Sequence, residues 1–447
     1  MIALVDINNC YVSCERRFDA SLEGKPVVVL SNNDGCVIAR SEEAKSIGIK
    51  MGDPAFLMEE MMKTHSVRIR SSNYTLYADI TQRLMNLLGT FSPDIERYSI
   101  DEAFLDFSSV EPISDLEAYC MMIRKQAYQF TKLPVSIGIA PSKTLAKAAN
   151  RYAKKTHAAI GVFMIDTEAK RKMILQGLET KDIWGIGPRN RSYFETQHQV
   201  HNAWDFSLLD KGIIRQKMGV VGVRIQQELN GVPCLDMDLC PAPKKNICTS
   251  KSFPHDLPGI DPLRAAITTH ATRCAEKLRA QSSCATGLQV FIMTNAFKDI
   301  PQYTPCVPMT LRQATNDTRE LVHAANWMLE QLFRPEYAYK KCGVIVNELI
   351  PQSQVQQSLF VKQDPFRDRE LMKSMDAINA MMGRDTIRIA AAGLGANWKM
   401  KQDLLSPCYT TSFRDIPRIN ADGKRYGPLS GDPGINEQLR LFQSWEG

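Results

Sequence analysis

The stretch YSIDEAFLDF, Tyr98 to Phe107, sets two acids side by side in a run that otherwise reads as an apolar strand. A carboxylate taken out of water loses on the order of several kcal/mol of hydration even after relaxation, so Asp101 and Glu102 call for a cation or a return to solvent. Successive side chains of a regular strand point to opposite faces. Both acids reach one ion only if a turn or bulge lies between Ile100 and Ala103. A bent hairpin tip is expected there, and a solvated turn bearing a surface Asp-Glu pair is the alternative that context must displace.

The rest of the chain supplies that context. At 447 residues it exceeds one ordinary core and implies about three or four domains. With 44% hydrophobic and 23% charged residues the composition is globular. No apolar run approaches the ~18 residues of a membrane span. The start, MIALVDINN, carries an acid where a signal peptide is apolar, so a soluble, cytoplasmic protein with no membrane partner is expected. Twelve cysteines lack any CxxC pair. The close spacings Cys10/Cys14 and His198/His201 read as packing or surface chemistry rather than zinc, and reduced thiols are expected. Residues 141–350 hold 28 Lys/Arg against 19 Asp/Glu, while the remainder holds 27 against 30. That positive middle suits a polyanion such as nucleic acid.

IALVDI reads as a central strand and GKPVVVLSNNDG as a second strand ending in a turn. Helical spacing follows in ARSEEAKSIGIKMGD and YADITQRLMNLLGTF, then an amphipathic helix in LEAYCMMIRKQAYQF and a strand in LPVSIGIA. This alternation predicts an α+β domain. In PSKTLAKAANRYAKK, Lys143, Lys147, Arg151 and Lys154 recur at steps of four, four and three and align on one basic face, for DNA or for solvent. Residues 167–233 read as all helical. There Gly185 and Gly187 permit the tight turn of a helix-hairpin-helix, whose backbone N–H groups face a phosphate. CPAPKKNICTSKSF, 240–253, reads as a linker, followed by a second α+β unit.

Asp6 ends the first strand, and the Asp101-Glu102 pair comes about 95 residues later. Three carboxylates of this kind suit a site for two Mg2+ ions, with hard oxygen ligands completed by substrate phosphates and water. DINNCYVSCE, SNNDGCVIARSEEAKSIGIKMGDP, SSNYTLYAD, YSIDEAFLDF, GIAPSKTLAKAAN, DIWGIG and LSPCYTTSF, in this order, resemble the Y-family translesion DNA polymerases, and among them the UmuC-type members.

The resemblance implies a right hand: palm at 1–26 and 76–166, small fingers at 27–75, helical thumb at 167–233 and an α+β little finger at 244–350. A C-terminal partner-binding region would occupy 351–447. It implies low-fidelity synthesis past damaged bases in the SOS response, without proofreading. Asp6, Asp101 and Glu102 match the catalytic metal ligands, with the Ile7 carbonyl as a further ligand to Mg2+. Tyr11 matches the steric gate that collides with a ribose 2′-hydroxyl. Lys45 and Lys154 match residues that grip the dNTP triphosphate. Asn8 stands where many relatives have a second acid, so four carboxylates are not expected, and Cys10 stands where an aromatic is frequent.

Partners implied in the same way are primer-template DNA, a sliding clamp, a processed UmuD-type dimer and a RecA filament. Two pentapeptides resemble a clamp-binding motif: QQSLF, with Gln356, Leu359 and Phe360, favoured by its place after the little finger, and QLRLF, with Gln438, Leu441 and Phe442. A DNA-bound scaffold with little catalysis has no need of Asp6, Asp101, Glu102 and Tyr11. A nucleotide cyclase accounts for the acids but leaves thumb and little finger without purpose.

Overall fold

A computed structural model describes residues 1–110, 113–356, 365–393, 398, 400–416, 418–419 and 425–426. The chain divides into two compact units: Met1–Ser31, Gly35–Pro241 and the segment from Asp403 in the first, Asn32–Asp34 and Ala242–Gln402 in the second.

In chain order the first unit contains β1 (Ile2–Ile7), α1 (Cys10–Phe18), β2 (Val27–Leu30), β3 (Val37–Arg40), α2 (Glu42–Ser46), α3 (Glu59–Thr64), β4 (Arg68–Ser71) and α4 (Tyr74–Leu88). It continues with β5 (Asp94–Arg97), β6 (Glu102–Asp106), α5 (Leu116–Thr131), β7 (Val135–Ala140), α6 (Lys143–Lys155) and β8 (Val162–Met164). The helices α7 (Glu168–Gly177), α8 (Pro188–His198), α9 (Ala203–Leu208) and α10 (Lys211–Leu229) follow.

One sheet has the order β5-β6-β1-β7-β8, with β1 at its centre, antiparallel to β6 and β7. Because strand side chains alternate, β1 feeds two cores. Ala3, Val5 and Ile7 pack with residues of α1, α4 and α5, whereas Ile2 and Leu4 pack with α6 and the helices after β8. The apolar run of β1 is thus explained by burial on both faces. A three-stranded sheet, β3-β2-β4, holds a separate small core around Val28, Leu30, Val37 and Ile49.

Helix α6 lies flush on β7. A Cβ at Gly138 would collide with the backbone of Ala146 and Asn150, so only glycine permits this approach. Asn150 donates to the carbonyls of Leu4 (3.2 Å) and Ser136 (2.7 Å), and Ser142 caps the helix. The Glu228 carboxylate from α10 accepts from the Thr144 N–H (2.9 Å), where the positive end of the helix favours an anion.

The second unit contains β9 (Ile247–Leu257), α11 (Ile260–Ala280), β10 (Ser283–Met293), β11 (Cys306–Thr315), α12 (Thr318–Leu332), β12 (Tyr339–Pro351) and α13 (Pro365–Met382). Its antiparallel sheet runs β11-β10-β12-β9 and shares one core with α11 and α12. The segment expected to be a linker is corrected from Ile247 onward, where β9 begins. Helices cover the sheet, so buried Ile247 and Phe253 suffice, and the polar residues between them masked the strand. Met372 and Met375 of α13 are buried, Arg279 holds Asp376 at 2.6 and 2.7 Å, and Trp398 joins the core of this unit. All twelve cysteines are free thiols, and no described helix is long and apolar enough to cross a membrane.

Candidate active site

The expected hairpin tip is present: β5 and β6 pair antiparallel, and Tyr98 and Ser99 both donate backbone N–H groups to the Glu102 carbonyl, each at 3.1 Å. Asp101 lies in the turn and Glu102 opens β6, so one acid escapes the strand and the other starts it. Asp6 is the cross-strand partner of Glu102, and the Ile7 N–H donates to the Asp101 carbonyl at 2.9 Å. Asp6 and Glu102 share strand parity with Leu4 and Phe104, both in the core on the α6 side. Acids about 95 residues apart in sequence therefore meet at one edge of the central sheet.

Helix α6 supplies cations to this face. Lys154 Nζ lies 2.5 Å from Asp6 Oδ1, and Lys147 Nζ lies 2.8 and 3.0 Å from the Glu102 oxygens. Asp101 Oδ1 accepts from the Ser99 hydroxyl at 2.6 Å. Burial pushes the Asp6 carboxyl up to about 6 against the Lys154 ammonium, with Glu102 and Asp101 adding to the rise. Among the described residues no three His, Cys, Asp or Glu side chains are arranged to hold a metal ion; Asp6 and Glu102 pair with Lys154 and Lys147, and Asp101 with Ser99. The donor set nevertheless fits magnesium: three hard carboxylates, of which Asp6 and Glu102 each already draw a cation.

Tyr11, on α1, is half-buried. It stacks on Tyr77 with ring centres 4.6 Å apart and meets Tyr74 edge-on at 5.9 Å. Burial, followed by Tyr74, Cys10 and Asp101, pushes its phenol up to about 12. Cys10 is buried, and a hydrogen bond with Cys14 is the chief reason its thiol is raised. Lys45 Nζ lies 2.7 Å from Asn9 Oδ1 and 2.6 Å from Glu42 Oε1. Asn9 is left-handed, at φ 49°, a conformation asparagine tolerates better than most residues. Neither Asn9 nor Ser99 stood out in the sequence; the Asn-Asn pair after Ile7 and a serine two residues before Asp101 were the available signals. Asn8 accepts from the Ser136 hydroxyl at 3.0 Å, a structural use for its side chain.

The basic face of α6 differs from the open stripe expected for DNA. Lys143 is 3% exposed and pairs with Glu96, Lys147 pairs with Glu102, Arg151 with Asp182 and Lys154 with Asp6. For Lys143 this corrects the expectation of a DNA contact, because burial leaves it no surface to offer. Helical periodicity had aligned the charges correctly but could not say what they meet. Lys147 also lies over the rings of Tyr98 (4.4 Å) and Trp184 (5.2 Å), which stabilises an ammonium further. Gly185 has φ +89°, a backbone conformation strained for any residue with a side chain, so the turn before α8 favours glycine. Gly187 caps α8 ahead of Pro188. Gln356 is exposed, whereas Leu359, Phe360, Gln438, Leu441 and Phe442 lie outside the described residues. A cleft of about 770 Å³ in the second unit, lined by Arg279, Arg369, Lys373 and Asp376 among others, contains none of the active-site candidates.

Residues 5–151 match the model of the impB/mucB/samB family, residues 244–359 that family's C-terminal domain, and residues 369–419 a domain of unknown function, DUF4113. Protein UmuC of Salmonella typhimurium is 38% identical over 94% of this chain and 100% of its own length. DNA polymerase IV of Bacillus velezensis is 23% identical over 87% of this chain and 92% of its own. A Y-family DNA polymerase chimera, Dbh-Dpo4(243-245)-Dbh, superposes with a TM-score of 0.60 at 18% identity. That match covers 78% of this chain and all of the chimera, and shows the same α+β fold.

Proposed function

The chain belongs to the impB/mucB/samB family of Y-family DNA polymerases, and from that premise we propose that it performs low-fidelity, template-directed DNA synthesis past lesions in the SOS response. The observation that carries this reading is the meeting of Asp6 and Glu102 across adjacent strands, with Asp101 beside them and Tyr11 close by.

In the reaction the primer 3′-hydroxyl loses its proton to solvent, its oxygen forms a bond to the α-phosphorus of a dNTP, the bond from that phosphorus to the bridging oxygen breaks, and pyrophosphate leaves. Two Mg2+ ions, when bound, neutralise charge on the triphosphate and lower the pKa of the primer hydroxyl. Asp6, Asp101, Glu102 and the Ile7 carbonyl are the residues to hold them. Lys154, partnered with Asp6, and Lys45, partnered with Asn9 and Glu42, serve as point charges for the triphosphate. Tyr11 closes the space beneath the sugar C2′, which admits deoxyribose and collides with a ribose hydroxyl. The N–H groups at the Gly185–Gly187 turn, with Arg151 and Lys147, are the proposed contacts to the DNA backbone.

Domain roles follow the expected bounds: palm around the central sheet, fingers at 27–75, thumb at 167–233, little finger at 244–350 and a partner-binding region from 351. A clamp engaged through Gln356, Leu359 and Phe360, a processed UmuD-type dimer and a RecA filament complete the proposal. The test is extension of a primer across an abasic template in magnesium, with and without clamp and UmuD-type partner. Insertion opposite the lesion is expected. No incorporation under any combination, with DNA still bound, would replace the reading with a scaffold.

A further inference from the structure

The segment from Asp403 returns to the first unit, where its LSPCYTTSF stretch does work that the proposed reaction does not account for. Leu404 and Ser71 exchange hydrogen bonds: the Ser71 N–H donates to the Leu404 carbonyl (3.0 Å) and the Leu404 N–H to the Ser71 hydroxyl (3.0 Å). Asn73, which caps α4 through the Leu76 N–H, donates its amide to the Ser406 carbonyl (2.9 Å) and hydroxyl (3.1 Å). Tyr409 stacks on Phe18 with ring centres 4.7 Å apart. Ser71, Asn73 and Ser406 are all buried, so these bonds are shielded from water.

At the centre lies Glu15, a carboxylate 2% exposed. Its Oε1 accepts two hydroxyl donors, Tyr77 at 2.6 Å and Ser406 at 2.9 Å, while its nearest cation, Arg70, stands 3.9 Å from Oε2. Burial raises the Glu15 carboxyl, and the Tyr77 and Ser406 hydroxyls oppose that rise. A buried acceptor with so distant a cation depends on such donors for its position. Tyr77 is fully buried, and the ring it presents is the one on which Tyr11 stacks. The chain of contacts therefore runs Ser406, Glu15, Tyr77, Tyr11.

We propose that Ser406 is a positioning residue for sugar selection: through Glu15 and Tyr77 it fixes the platform that holds the Tyr11 ring against the nucleotide's C2′. This rests on Tyr11 being the steric gate, and it gives part of the 369–419 segment a role in substrate choice. An interaction that sets a ring's position governs discrimination without touching the substrate, because a small displacement opens room for one hydroxyl.

The test measures kcat and KM for a dNTP and its matching rNTP, with the full chain, in the wild type and in Ser406→Ala, Ser406→Thr, Tyr77→Phe and Tyr11→Ala. Ser406→Ala and Tyr77→Phe are each expected to lower the dNTP preference by about threefold to tenfold, the scale of one weakened hydrogen bond, chiefly through a lower KM for the rNTP. Ser406→Thr, which keeps the hydroxyl, should restore it. In the double variant the two losses should be less than additive, since both act on Glu15. If Ser406→Ala does not fold, Tyr77→Phe reports the same carboxylate from the other side. Preference unchanged in Ser406→Ala and Tyr77→Phe, but lost in Tyr11→Ala, overturns the brace and leaves the gate standing. Unchanged preference in Tyr11→Ala overturns the gate, and this inference with it.

Discussion

Acids are costly at the ends of apolar strands, and the register that sets Asp6 opposite Glu102 gathers that cost at one place, where a cation offsets it. What the sequence concealed was the company they keep. Helical spacing placed Lys143, Lys147, Arg151 and Lys154 on one face, yet each meets a carboxylate from elsewhere in the first unit, a tertiary fact that periodicity does not carry. Tyr11 is proposed as the gate through resemblance alone, since nothing in CYVSC distinguishes a gate from a core tyrosine. Its stack on Tyr77 holds one face of the ring. Tyr11→Ala is expected to raise rNTP incorporation by about 100-fold relative to dNTP, measured by steady-state single-nucleotide insertion. Sugar selection that survives the change would place the gate elsewhere.

Among the elements, β1, β7 and α6 were readable from apolar runs and helical spacing, whereas β9 was hidden by its polar residues. Helix α11 makes a prediction of its own. His270 is 5% exposed, its Nε2 has no hydrogen-bond partner, and its ring lies 6.1 Å from that of Trp398. Burial first, then Lys251 and Lys277, push its imidazole down to about 4 from an ordinary 6.5. A group whose pKa is lowered by folding binds fewer protons in the native state, so stability is whole above pH 6.5 and falls as pH drops toward 4. The loss should reach about 3 kcal/mol by linkage. Urea melts of the second unit between pH 7 and pH 4 should show this slope, and His270→Leu should flatten it. An equal slope in both proteins would assign the acid sensitivity to other groups.

Across the whole molecule, the excess of positive charge in residues 141–350 was visible from the sequence, and the α+β character of both units followed from alternating elements. The return of the chain from Asp403 was not visible, because a short segment such as LLSPCY shows neither strand nor helix period and owes its order to partners more than 300 residues away, including Ser71, Asn73 and Glu15. Ending the chain at Gln402 should lower the thermal midpoint of the first unit by about 5–10 °C in calorimetry, the scale of losing several buried hydrogen bonds and a ring stack. An unchanged midpoint would reduce the strap to a passive tail. Whether remote carboxylates jointly hold the cations of nucleotidyl transfer is decided by titrating magnesium into a single-nucleotide insertion assay. The proteins to compare are the wild type and the near-isosteric Asp6→Asn, Asp101→Asn and Glu102→Gln. Insertion should saturate with magnesium in the wild type and fall at least about 1000-fold in each variant, with primer-template affinity retained. Full insertion in any of the three, or insertion by the wild type in excess chelator, would contradict joint binding by the carboxylates.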